Sequence, residues 1–184
     1  MKIRQLSTEE LRNAIPFVWK VFCEFEGEHY TESGKTAFYQ AINSEEYLQQ
    51  LSAFGAFEKN ELLGIIATRN GGSHVALFFV EGAHQKQGIG KLLWNTVLAQ
   101  NTADVITVHS SLFAAEVYKS LGFVQTDEVC EENGIRYVPM EYRLTRTDSC
   151  PCSRKNCIRH GRCSECRAHH FCSGRKRPCE KENP

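Results

Sequence analysis

A polar segment containing three glycines, residues 81–90, separates a run of apolar residues from a segment with helical periodicity. The apolar run, 75–80, predicts a strand buried on both faces. Leu92, Leu93, Thr96 and Val97 share one face of the helix predicted after it. A glycine-containing loop at a helix N-terminus presents free backbone N–H groups and a partial positive charge. The pattern therefore predicts a phosphate-binding loop, with an unliganded strand-to-helix turn as the alternative.

The first 145 residues alternate strand and helix signals. Ser7 and Glu10 form a capping-box pattern before an amphipathic helix, in which Pro16 predicts a kink or a late start. Turns are predicted at Lys59-Asn60 and Asn133-Gly134. Together these signals predict an α/β domain, a mixed sheet with helices on both faces. The other predicted strands are 2–6, 55–58, 62–68, 105–108, 123–126 and 136–144, of which 105–108 is predicted to be buried. The other predicted helices are 35–42, 45–51 and 112–121, the last ended by Gly122.

Three motifs in sequence order carry a family resemblance. Gln85-x-x-Gly88-x-Gly90 matches the [QR]-x-x-G-x-[GA] signature of the GNAT N-acetyltransferases. The preceding LFFV resembles the bulged fourth strand of that family, and VHSSLFAAEVYKSLGFV resembles its segment before the last strands. The resemblance covers residues 1–145. It implies a GNAT-type α+β fold, with a mixed, mostly antiparallel sheet flanked by helices.

The resemblance also implies roles for individual residues. Tyr118 falls where these enzymes often place the tyrosine that protonates the leaving thiolate of coenzyme A. His109 stands where many members have Asn beside pantetheine, and Gly82 where many have Pro. Backbone contacts to the pantetheine of acetyl-CoA are implied for Phe78, Phe79 and Val80. The pyrophosphate cradle is implied for Gln85, Lys86, Gln87, Gly88, Ile89, Gly90 and Lys91.

The sequence offers several candidates for the base that deprotonates the acceptor. An amine is mostly protonated at neutral pH, so a neighbouring group must take its proton. We take Glu26 and His109 as the main candidates, although His109 could be a packed strand-end histidine. The acidic run 24–30 predicts a preference for positively charged acceptors, with a solvated acidic turn as the alternative. The remaining candidates are Glu24, Glu28, His29 and Glu81.

The predicted function is transfer of an acetyl group from acetyl-CoA to an amine of a small molecule or peptide by direct attack. A protein lysine or N-terminus is a second acceptor class. A different alternative is a non-catalytic protein that senses acyl-CoA and binds a protein partner through its C-terminal tail. The acceptor loops of one fold vary between enzymes, so the sequence leaves the acceptor open.

The C-terminal tail differs sharply in composition from the rest of the chain. Of the nine cysteines among 184 residues, seven lie between Cys150 and Cys179, which predicts a boundary between domains 1–147 and 148–184. The whole chain is neutral, with 22 basic and 22 acidic residues, but residues 149–184 carry nine Lys/Arg against three Asp/Glu. The tail holds a single large aromatic residue, Phe171, so it cannot build an apolar core.

A metal would explain how such a segment folds, because binding energy can become folding energy. We predict zinc held by Cys152, Cys157, Cys163 and Cys166, in which Cys163-x-x-Cys166 has metal-knuckle spacing. A disordered tail, or disulfides in an exported protein, are the alternatives. Further candidate ligands are Cys150, His160, His170 and Cys179, and a second metal is compatible with this density of ligands.

Partners and location follow from charge and hydropathy. The basic run Arg175-Lys176-Arg177 permits nucleic-acid contact, but docking onto a protein or simple stabilisation is favoured over it. No apolar run approaches the roughly 18 residues of a membrane span. The start MKIRQLSTEEL lacks the apolar region of a secretory signal, so we expect a cytoplasmic protein. A homodimer is compatible with the sequence, which leaves the oligomeric state open.

The zinc prediction is testable on the purified chain. Metal analysis should find zinc in stoichiometric amount, and the tail cysteines should react slowly with a thiol reagent until a chelator is added, because zinc-bound thiolates are protected. Protein without zinc, in which all thiols titrate freely, would contradict the prediction.

Overall fold

A computed structural model describes residues 1–132 and 134–144. Five α-helices and eight strands follow one another along this part of the chain. The helices are α1 (Thr8–Phe25), α2 (Glu32–Ile42), α3 (Glu45–Gln49), α4 (Ile89–Gln100) and α5 (Ala115–Ser120). The strands are β1 (Lys2–Leu6), β2 (Ser52–Glu58), β3 (Glu61–Arg69), β4 (His74–Val80), β5 (Val105–Ser110), β6 (Val124–Gln125), β7 (Cys130–Glu132) and β8 (Ile135–Arg143).

The strands form a mixed sheet in the order β1-β2-β3-β4-β5-β8-β6, and β7 pairs with β8. Every pairing is antiparallel except the one between β4 and β5. Helices α1 to α3 pack an apolar core on one face of the sheet, and α4 and α5 pack a second core on the other face. This arrangement confirms the predicted mixed, mostly antiparallel sheet flanked by helices.

A bulge interrupts β4 near its start. Ala67 of β3 pairs with Leu77, but the next residue, Thr68, pairs with Val75, so Ala76 is the extra residue. Successive residues of a regular strand alternate between faces, and a bulge shifts this alternation. Val75 accordingly packs in the core under α4, whereas Leu77, two residues later, packs in the core under α1.

Most of the predicted helices and strands are present, but some begin or end at other residues than predicted. The capping box is confirmed, since the Ser7 hydroxyl accepts from the Glu10 N–H while the Glu10 carboxylate accepts from the Ser7 N–H. The late start predicted from Pro16 is wrong, because α1 begins at Thr8 and includes Pro16. Helix α5 is shorter than the predicted 112–121, and β7 was not predicted. Lys59 and Asn60 both have positive φ, which confirms the predicted turn.

Three predictions of burial need correction. Only part of strand β4 is fully buried: residues 78–80 are half-buried, and Phe78 and Phe79 border an open cleft. Strand β5 alternates between buried and accessible residues, because helices cover only one of its faces. In α4 the buried residues are Ile89, Leu93, Trp94 and Val97, while Leu92 is exposed. The predicted domain boundary and all the predicted zinc ligands lie outside the described residues.

A close backbone approach joins the start of α2 to the start of β8. The Thr31 hydroxyl caps α2 by accepting from the Gly34 N–H, and it donates to the carbonyl oxygen of Gly134, 3.2 Å away. A Cβ atom added at Gly34 would lie 2.6 Å from that carbonyl oxygen, which is too close for any side chain. Gly34 therefore permits a contact between two segments that border the same cleft.

Replacing Gly34 by Ala should lower the melting temperature. Within a helix this substitution usually stabilises by about 0.5–1 kcal/mol, but here the added methyl group meets backbone atoms that cannot rotate away. Overpacking typically costs about 1–3 kcal/mol, so the net effect should be destabilising. Thermal unfolding monitored by circular dichroism measures the change, and Gln40→Ala on the exposed face of α2 is the control. An unchanged or raised melting temperature of Gly34→Ala would show that the contact is loose.

Candidate active site

An open cleft lies where β4 and β5 separate. These parallel strands pair only at His74 with Thr107 and at Val75 with Val108, and then diverge. The divergence opens a cleft of about 330 Å³ between the strands. Because β5 leaves β4, the edge of β4 at residues 76–80 faces this cleft instead of a neighbouring strand. The cleft is lined by β4, β5, the turn after α1, and the sheet face near α2, α3, β7 and β8.

The predicted phosphate loop lies directly after β4. Gly88 has φ +88°, and an added Cβ there would meet no atom within 4 Å, so the space over the helix start is open. Lys86 also has positive φ, so consecutive N–H groups in this loop can turn toward one side, as in anion-binding nests. Gly88 offers α4 no side-chain cap, which leaves the first N–H groups of this 12-residue helix available to a ligand.

Two glutamines and one isoleucine hold this loop in place. The Gln85 side chain donates to the carbonyl of Val80 at 3.1 Å, and the Gln87 side chain donates to the carbonyl of Ala83 at 3.0 Å. Ile89 is buried in the core under α4. These side chains therefore fix the loop, while the backbone N–H groups and the exposed Lys86 and Lys91 stay available to a pyrophosphate. The loop fits the phosphate-bearing end of coenzyme A.

Tyr118 lies at the floor of the cleft. Helix α5 places its ring against Phe78 of β4 and Phe123, with ring centroids 5.9 and 5.2 Å away. Burial, together with the negative charge of Glu26, raises the pKa of the Tyr118 phenol. The phenol therefore keeps its proton at neutral pH and can act as an acid but not as a base.

Glu26 lies in the same cleft, at the end of α1. The Tyr30 hydroxyl donates to Glu26 Oε2 at 3.5 Å. Burial raises the pKa of Glu26 to about 7, and hydrogen bonding by Ser111 and Tyr30 offsets part of the rise. A carboxyl group with this pKa can accept a proton near neutral pH and release it again.

His109 lies on the accessible face of β5, where its ring stacks on Tyr137 at 4.1 Å and meets the edge of His74 at 5.2 Å. Burial and the positive charge of Arg69 lower the pKa of His109, so its imidazole is neutral at neutral pH. The pKa of His74 is lowered to about 4 by burial, Arg69 and His109, and its Nδ1 lies 2.8 Å from the Thr107 hydroxyl. His109 thus belongs to an aromatic stack at the cleft wall.

Only some of the candidate bases lie in the cleft. Glu26 and His109 line the cleft with Tyr118, Phe78 and Phe79. The other candidates are not among its lining residues: Glu81 forms an ion pair with Lys20 at 2.8 Å, and Glu24, Glu28 and His29 are exposed. In the described part of the chain, no group of three or more His, Cys, Asp or Glu residues is arranged to hold a metal ion.

Several residues of the cleft were not predicted from the sequence. Arg69, Tyr30, Tyr137 and Ser111 line it, and the missed strand β7 contributes Glu132. Ser111 falls inside the motif recognised between 108 and 124, which was a signal for it. Arg69 had no comparable signal, because it is a single basic residue at the end of an apolar strand.

Within the described residues, no helix is long and apolar enough to cross a membrane. Comparison with curated proteins gave no match. Among solved structures, an 18% identical GCN5-related N-acetyltransferase from Rhodopseudomonas palustris superimposes with a TM-score of 0.67, covering 78% of this chain and 95% of the other.

Two further solved structures were determined with coenzyme A. The PaiA N-acetyltransferase from Thermoplasma acidophilum is 18% identical and has a TM-score of 0.61, with 78% of this chain and all of the other covered. An aminoglycoside 6′-N-acetyltransferase is 16% identical, with a TM-score of 0.53 and coverage of 78% and 97%. At these identities the likeness shows a shared fold. Residues 26–144 match the family model described as the acetyltransferase (GNAT) domain, and the chain therefore belongs to the GNAT acetyltransferase family.

Proposed function

We propose that this protein is an N-acetyltransferase, which moves the acetyl group of acetyl-CoA to the amine of a small acceptor by direct attack. The observation that carries the proposal is the cleft between β4 and β5, which brings Glu26 and Tyr118 together. Two structural neighbours that share the fold were solved with coenzyme A, which supports acetyl-CoA as the donor.

The donor is proposed to lie along the edge of β4 that β5 leaves free. Backbone N–H groups of residues 76–80 would hydrogen-bond the pantetheine and polarise the thioester carbonyl, an oxyanion-type stabilisation. The pyrophosphate would bind the N–H groups around Gly88 and the side chains of Lys86 and Lys91. The bulge at Ala76 and the turn at Gly88 thus fix the two ends of the donor site.

The chemical step needs one group that accepts a proton and one that donates it. Ionised Glu26 takes a proton from the acceptor ammonium, directly or through water, and leaves a nucleophilic amine. The amine nitrogen bonds to the thioester carbonyl carbon and becomes positively charged. The carbon–sulfur bond then breaks, and the nitrogen loses its second proton to water, which leaves a neutral amide. The Tyr118 phenol gives its proton to the leaving sulfur and regains one afterwards. His109, neutral and stacked on Tyr137, is assigned to the wall that positions the acceptor.

The cellular location of the protein and the role of its C-terminal tail are separate proposals. The cytoplasmic location and the zinc-binding, partner-recruiting role of residues 148–184 rest on the composition of the chain. Neither is needed for the transfer reaction proposed for the described domain.

Two measurements test the function. The first is thiol release from acetyl-CoA in the presence of a panel of amines, and the second is the binding of coenzyme A measured by calorimetry. The chain should bind coenzyme A and turn over at least one acceptor. Tyr118→Phe keeps the ring packing but removes the acidic proton, so kcat should fall about 100-fold or more with little change in coenzyme A affinity. Tyr39→Phe, in an exposed part of α2, is the matched control and should leave both quantities unchanged.

Two results would contradict this function. Tight coenzyme A binding without turnover of any acceptor would favour the non-catalytic sensor. Absence of coenzyme A binding would show that the loop at Gly88 is an unliganded turn.

The pH dependence of turnover tests the role of Glu26. Because only the ionised carboxylate accepts a proton, kcat/KM of the wild type should rise as pH increases through about 7. Glu26→Gln should lower kcat/KM about 100-fold and abolish its rise near pH 7. The pH dependence that remains should be that of the acceptor amine. Glu28→Gln, two residues away and exposed, is the control. A Glu26→Gln enzyme with the wild-type profile would assign the base elsewhere.

A further inference from the structure

Arg69 is a cation in the cleft that the proposed reaction does not use. It ends β3, pairs through its backbone with His74, and lines the cleft beside His74, His109 and Tyr47. Its Nε atom is buried and has no hydrogen-bond partner among the described residues. No ion pair of the described chain includes Arg69 either. A guanidinium with five donors is thus held in a half-buried site without a protein anion to neutralise it.

The groups around Arg69 leave its charge uncompensated. His74 and His109 are neutral, since both have a lowered pKa. Two carboxylates border the same cleft: Glu26 is engaged by Tyr30, and Glu132 is exposed at the rim, where its charge acts on His109. Among the described lining residues, Arg69 is therefore the single fixed positive charge. An anionic group of a ligand is the natural partner for such a site.

We propose that the acceptor is a small amino acid-like molecule, whose carboxylate binds Arg69 while its amine lies near Glu26. The inference rests on the proposed acetyl transfer and names its acceptor class. It is narrower than the preference for positively charged acceptors predicted from the acidic run 24–30, because it allows the acceptor one positive charge and adds a carboxylate. Only Glu26 of the carboxylates in that run lines the cleft, and Arg69 would repel a second positive charge on the acceptor.

The size and lining of the cleft favour an apolar side chain on this amino acid. Phe22, Phe38 and Phe79 border the cleft, with Phe22 and Phe38 stacked at 4.3 Å. Its volume of about 330 Å³ is at the lower end for ligand pockets and must also admit the acetyl end of the donor. The space that remains suits one free amino acid of apolar or aromatic character.

Matched acceptors separate the contribution of the carboxylate from that of the side chain. L-phenylalanine, L-phenylalaninamide and phenethylamine share the ring and the amine, but only the first has a carboxylate. We expect kcat/KM to be about 10- to 100-fold higher for phenylalanine than for the amide, the range that a charge-assisted hydrogen bond supplies. The amide has the less basic amine, which would work against this preference, so the comparison is conservative. Spermidine serves as the polycationic acceptor and should be the poorest.

Variants of Arg69 test the assignment to this residue. Arg69→Gln should reduce the ratio between phenylalanine and its amide to near unity, mainly through KM for the acid. Arg69→Lys keeps the charge but loses the planar fork, so it should restore the preference only in part. Arg12→Gln removes an exposed arginine that pairs with Glu45, and the ratio should stay at the wild-type value.

A binding measurement separates this inference from the reaction itself. Phenylalanine and its amide are titrated by calorimetry into protein saturated with coenzyme A, where no acetyl group is present. Tighter binding of the acid, lost in Arg69→Gln, supports the inference even if transfer is not observed, in which case the proposed reaction is the part that is wrong. Turnover of amines with equal binding of acid and amide, or no binding of either, would overturn the inference while leaving acetyl transfer to stand on its own test.

Discussion

The loss of hydrogen bonding between β4 and β5 after two residue pairs determines how the rest of the domain is used. Parallel strands normally continue their pairing to a common end, and buried backbone groups without partners are costly. The edge of β4 beyond Val75 is tolerated because it faces a cleft instead of a packed neighbour. Such an edge can accept an extended ligand as an additional strand, much as sheets accept peptides. The cleft and its open backbone thus have a common origin.

The bulge at Ala76 decides which side chains meet in the cleft. Without an extra residue, Val75, Leu77 and Phe79 would share one face of the sheet. With it, Phe79 packs beside α1 and α2, where it borders the acceptor side, while Phe78 packs against Tyr118 on the α4 side. One inserted residue therefore supplies an aromatic wall to the acceptor and a contact that orients the proposed acid.

Local signals in the sequence were sufficient for most of the elements and for the turn between β4 and α4. The capping box at Ser7, the turn at Lys59-Asn60 and the loop at Gly88 each depend on residues that are neighbours in the chain. The length of α1 was not predictable in this way, because packing of its apolar face outweighs the cost of Pro16. Arg69 and Tyr137 come from segments far apart in the sequence, and only the pairing of β3 with β4, of β4 with β5 and of β5 with β8 brings them to one cleft.

Burial has the same effect on Glu26 and Tyr118, but it suits the first to accept a proton and the second to donate one. Desolvation disfavours the charged form of both a carboxyl and a phenol, so it raises the pKa of each. For Glu26 the rise ends near neutral pH, where the group can accept a proton. For Tyr118 the rise moves the pKa further from neutrality, and the charge of Glu26 adds to it, so the proton stays on the phenol. An acceptor ammonium would favour ionised Glu26, whereas a carboxylate at the same place would not. In the proposed complex, the amine end of an amino acid would therefore face Glu26 and its acid end would face Arg69.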